Sequence, residues 1–122
     1  MLYIFKRIFL LLLLICCSVS AQTSYRNLSK ENWTFNKQNE AKKYKATIPG
    51  TVHTDLFQNQ LISDPFFGAN EKQLQWIENE NWEYETHFAL SKSELENQNI
   101  DLEFDGLDTY ASVYLNGKVV LE

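Results

Sequence analysis

Apolar and polar residues alternate most clearly near the end of the chain. Tyr110 to Leu115 sends Ala111, Val113 and Leu115 to one face and Tyr110, Ser112 and Tyr114 to the other. Asn116-Gly117 follows, a dipeptide suited to the positive φ angles of a type I′ turn, and Lys118 to Leu121 returns as the partner strand. Just before this hairpin, Leu102 and Phe104 flank Glu103 and predict a short strand that Asp105-Gly106 ends. Further back, Trp82, Tyr84, Thr86, Phe88 and Leu90 alternate with Glu83, Glu85 and His87, which predicts the longest strand, Trp82 to Leu90. Asn32 to Phe35 and Tyr44 to Ile48 alternate more briefly, and Pro49-Gly50 stops the second run.

Between these runs the period changes. Thr51 to Leu61 predicts a short helix with Thr51 or Thr54 as N-cap, Asp55 in the first turn, and Val52, Leu56 and Phe57 on one face. Ser63 to Asn70 is a loop, and Asn70 with Gln73 predicts a capping box for one helical turn reaching Ile77. Asn36 to Lys43 and Glu78 to Asn81 are polar connectors, and Ser91 to Asn99 is a polar link with a helical turn. About six strands joined by turns, without a long helix between them, predict an antiparallel all-β architecture of sandwich type.

The first 21 residues fall outside that pattern. Lys6 and Arg7 precede the apolar run Ile8 to Ile15, and Val19-Ser20-Ala21 offers small residues for cleavage. This predicts a secretory signal peptide over residues 1–21 and a domain over residues 22–122. The apolar run is shorter than the roughly 20 residues a membrane span needs, so no membrane association is expected after cleavage. Both cysteines, Cys16 and Cys17, leave with the signal. An exported domain without disulfides has to be held by its core alone.

Cleavage also removes two of the 11 basic residues and none of the 16 acidic ones, leaving 9 against 16 and a net charge of −7 in place of −5. Nucleic acid is therefore not an expected partner, because no excess of basic residues is there to replace phosphate counterions.

Candidate chemistry is sparse. No His-x-x-x-His or His/Cys cluster suggests a metal, no glycine-rich loop suggests a phosphate-bearing cofactor, and no serine has a Gly-x-Ser-x-Gly setting. His53 is expected to bond nearby backbone and His87 to lie on the surface. Glu83 and Glu85 share a strand face, an arrangement compatible with the paired carboxylates of glycoside hydrolysis, although a solvated sheet face explains them more simply. Asp105 and Asp108 flank a turn. Phe66, Phe67, Trp76 and Trp82 are suited to stacking on a sugar ring or to plugging the end of a sandwich. Asn27-Leu28-Ser29 and Asn32-Trp33-Thr34 are glycosylation sequons in a eukaryotic secretory route.

Four blocks in order carry a family resemblance: Ala46 to Leu56 (ATIPGTVHTDL), Asp64 to Glu71 (DPFFGANE), Leu74 to Thr86 (LQWIENENWEYET) and Phe104 to Gly117 (FDGLDTYASVYLNG). Over about Trp33 to Leu121 the chain resembles the amino-terminal domain of the β-mannosidases of glycoside hydrolase family 2. The last block is shared with β-galactosidases and β-glucuronidases of that family, while the first two point to mannosidase.

The resemblance implies an antiparallel jelly-roll β-sandwich, galactose-binding-domain-like and incomplete in this chain, ahead of immunoglobulin-like and TIM-barrel domains that would lie downstream. It implies hydrolysis of terminal non-reducing β-D-mannose residues with retention, acting on β-mannosides or manno-oligosaccharides, by two barrel glutamates that this chain lacks. No catalytic residue is thus assigned here, and no cofactor or metal. The loop Asp64 to Trp82 is expected to form the rim of the mannose pocket, with Phe67, Trp76 and Trp82 as substrate-binding residues. The product is expected to be exported, to a periplasm or the medium (a lysosome if eukaryotic). A jelly roll uses about eight strands, so residues 22–122 alone are expected to leave an open sheet edge and to fold poorly. The rival expectation is a stand-alone carbohydrate-binding module without catalysis.

Overall fold

A computed structural model describes residues 23–108 and 110–122. The signal-peptide assignment, residues 1–21, lies outside them. The chain divides into two compact units, one ending at His87 and one running from Phe88 to Glu122.

The first unit is built on a three-stranded antiparallel sheet of order β2-β1-β3, from β1 (Thr34–Lys37), β2 (Tyr44–Lys45) and β3 (Trp82–Glu85). In β1, Phe35 faces Tyr44 on one side and Tyr84 on the other. Its ring is fully buried, with centroids 5.6 Å from Tyr84 and 6.0 Å from both Tyr44 and Trp82. Ring pairs at these separations each contribute about 0.5–1.5 kcal/mol beyond burial. Phe35 is therefore the side chain around which the sheet closes.

Helix α1 (Val52–Gln58) covers the sheet residues with Leu56 buried and Val52 half-buried. Its start is fixed by Thr51, whose hydroxyl accepts from the Thr54 amide at 3.3 Å while the Thr54 hydroxyl accepts from the Thr51 amide at 3.0 Å. Leu74 and Ile77 complete the core. They lie around the junction of the short helix α2 (Asn70–Gln73) with a 3-10 turn (Gln75–Asn79). Three residues per 3-10 turn carry positions three apart to the same side.

Several expected boundaries move. The strand expected over Asn32 to Phe35 is Thr34–Lys37, and Asn36, read as part of a connector, is buried in it. Its amide donates to the carbonyls of Lys37 and Glu40 and to Glu83 Oε2, which organises the turn into β2. The long strand expected through Leu90 stops at Glu85. Glu85 pairs with Thr34, the first residue of β1, so the ladder runs out of partner there. Phe57 is 45% exposed rather than sharing the core face. At about 100° per residue it stands some 140° around the helix from Val52, whereas Asp55 and Leu56 straddle the inward direction. Asn70 does not cap α2: the N-cap is Ala69, and the Asn70 amide donates instead to the Asp64 carbonyl at 2.9 Å.

In the second unit, α3 (Lys92–Leu95) is a single turn with a Ser91/Glu94 capping box. β4 (Val113–Leu115) and β5 (Lys118–Leu121) form the expected hairpin. Asn116 and Gly117 both have positive φ, 50° and 76°, as a type I′ turn requires. The ladder starts at Val113 rather than Tyr110, with an irregularity between Val113 and Tyr114. Leu102 to Phe104 is not a strand, because alternation makes one only where a partner supplies hydrogen bonds, and among the described residues none does.

Candidate functional site

The segment from Asp64 to Trp82 carries the exposed rings of Phe66, Phe67 and Trp76, and its backbone is held from within. The Asp64 carboxylate accepts from the Phe66 amide at 2.9 Å, and its carbonyl accepts from the Phe67 amide at 3.3 Å. With φ at +63°, Gly68 turns the chain where a side chain would be strained. The loop thus presents Phe66 at 96% and Phe67 at 74% exposure.

Trp76 and Trp82 behave differently. Trp82 opens β3 and packs on Phe35, and its indole N–H donates to the Ile77 carbonyl at 3.1 Å. Trp76, on the 3-10 turn, lies with its ring centroid 6.1 Å from that of Trp82 at a 48° tilt and stays 42% exposed. Of the three expected substrate-binding residues, then, Trp82 is a half-buried wall, Trp76 a ring seated on it, and Phe67 an outward-pointing loop residue. No ring contact joins Phe67 to either tryptophan among the described residues.

Beside this segment is an open pocket of about 110 Å³ lined by His53, Pro65, Glu71, Leu74, Gln75 and Glu78. Ligand pockets typically enclose about 300–1,000 Å³, so this one does not hold a small molecule by itself. His53 faces this pocket, whereas the sequence pointed it at backbone.

The carboxylates of β3 are each engaged locally. Glu83 accepts from Asn36 at 3.3 Å. Glu85 is paired with Lys43 and with His87 Nε2, the latter at 2.9 Å. The Lys43 hydrogen bond holds the Glu85 carboxyl below the usual glutamate range. The two carboxylates are thus each bound to separate partners.

A side-chain constellation that the sequence reading missed centres on Asp55, which is fully buried. Its Oδ1 accepts from the Thr47 amide at 2.9 Å, and its Oδ2 accepts from the Tyr84 hydroxyl at 3.0 Å. One carboxylate therefore joins α1, the segment after β2, and β3. Burial and the adjacent Asp55 carboxylate hold the Tyr84 hydroxyl well above the usual phenol range. The signal was present in the sequence: with Val52 and Leu56, Asp55 completes an i, i+3, i+4 stripe facing inward.

The chain matches the family model described as glycosyl hydrolase 2 galactose-binding domain-like over residues 33–122. It is 34% identical to a β-mannosidase of Rattus norvegicus over 112 residues, covering 91% of this chain and 13% of that protein. It is 40% identical to β-mannosidase B of Aspergillus fumigatus (strain Af293) over 100 residues, 78% of this chain and 12% of the relative. A crystal structure of β-D-mannosidase from Dictyoglomus thermophilum superposes with a TM-score of 0.70 at 46% identity, over 72% of this chain and 11% of that one. The chain thus spans about an eighth of the length of these relatives. The antiparallel sheets and these matches bear out the expected all-β, galactose-binding-like fold class.

Proposed function

The chain belongs to the glycosyl hydrolase 2 galactose-binding domain-like family, and from that premise we propose that it serves as the sugar-binding-like domain of an exported, exo-acting β-mannosidase. The observation that carries this reading is 46% identity to a solved β-D-mannosidase combined with a TM-score of 0.70. The activity proposed for the full-length protein is release of terminal β-D-mannose with retention from β-mannosides or manno-oligosaccharides. The nucleophile and the acid/base are assigned to a barrel domain outside this chain. Consistent with that assignment, the acidic side chains of β3 are spent on Asn36, Lys43 and His87.

Within this domain the role is to shape the rim of the mannose pocket. Trp76 and Phe67 offer accessible ring faces, which suit the C–H face of a pyranose, and Trp82 holds Trp76 in place from behind. Export to a periplasm or the medium (a lysosome if eukaryotic) is proposed from the basic and apolar pattern of residues 1–21. Among the described residues no helix is long and apolar enough to cross a membrane.

The test uses a polypeptide carrying this domain together with its catalytic domain. It should hydrolyse an aryl β-mannoside, and Trp76→Ala should lower kcat/KM about tenfold or more, about 1.4 kcal/mol, when compared at a temperature where melting curves show both proteins folded. Hydrolysis of β-galactosides but not β-mannosides would overturn the activity. Full kcat/KM in Trp76→Ala would overturn the rim assignment alone. Mannan binding by the domain without any associated hydrolysis would favour the carbohydrate-binding module.

A further inference from the structure

We draw no further inference here: the strongest candidate, the open pocket lined by His53, Pro65, Glu71, Leu74, Gln75 and Glu78 beside the aromatic loop, carries nothing because its acidic rim holds no buried, unpartnered polar group that points to a ligand.

Discussion

Replacing Asp55 by alanine removes the acceptor for two hydrogen bonds at once. Hydrogen bonds to a charged group contribute about 1.5–3 kcal/mol each, which sets an upper range near 3–6 kcal/mol. Two effects reduce it. The variant no longer buries a charge, and the half-buried Tyr84 hydroxyl can turn toward water. The expected loss is therefore about 3 kcal/mol, a large share of the roughly 5–15 kcal/mol typical of a folded protein. Asp55→Asn separates charge from geometry. Its amide keeps an oxygen for the Thr47 N–H and offers an N–H to the Tyr84 oxygen, so it should cost only about 1 kcal/mol. Tyr84→Phe strands one carboxylate oxygen and should cost about 1.5 kcal/mol. Equilibrium urea unfolding of a polypeptide carrying this domain together with its catalytic domain, followed by tryptophan fluorescence, reads all three. In the double variant Asp55→Ala/Tyr84→Phe the losses should fall short of additive by about 1 kcal/mol, because both single variants break the same Tyr84–Asp55 bond. An Asp55→Ala midpoint indistinguishable from the parent, or strict additivity, would refute the idea that this carboxylate ties α1 to the sheet.

Three further outcomes follow from the same structure. Because Tyr84 keeps its proton more tightly when folded, its contribution is complete below about pH 10. Above that, stability should fall with a slope of at most about 1.4 kcal/mol per pH unit, and Tyr84→Phe should lose that part of the alkaline slope in pH-dependent melts. Glu85 has the opposite sign: its lowered pKa stabilises the fold at and above the usual glutamate range, and the benefit is lost as the pH falls below that range through the lowered folded-state value. Lys43→Ala should therefore be mildly destabilising at neutral pH and low salt and neutral in 1 M salt, as thermal melts at two ionic strengths will show. In Gly50→Ala the new Cβ would clash with the Thr47 carbonyl oxygen. Opening that turn also shifts the Thr47 amide from Asp55, so a loss of at least about 1–3 kcal/mol is expected in the melting curve.

The hairpin was legible in the sequence because Asn116-Gly117 determines both the turn and the register through backbone conformation alone. The cap of α1 was legible for the same local reason. What escaped prediction depended on partners distant in sequence. β3 ends at Glu85 because β1 begins at Thr34, and nothing in the alternation through Leu90 records that. Asn36 looked like one more amide in a polar connector until Glu83, 47 residues away, supplied its partner. The sequence shows Asp55 in the first turn of α1, but what decides its burial is its angle around the helix. In the candidate site, the sequence marks Trp76 and Trp82 alike, and only the packing of Trp82 on Phe35 distinguishes the wall from the accessible ring.

The pairing of Thr34 with Glu85 also fixes an order of events on the ribosome. β1 and β2 emerge early, yet two short strands are marginal by themselves in water. Phe35 can be enclosed only once Trp82 and Tyr84 have left the exit tunnel, so α1 and the aromatic loop wait, unsupported, inside a long unclosed loop. A slow stretch of translation between Asn59 and Asn81 would prolong that interval.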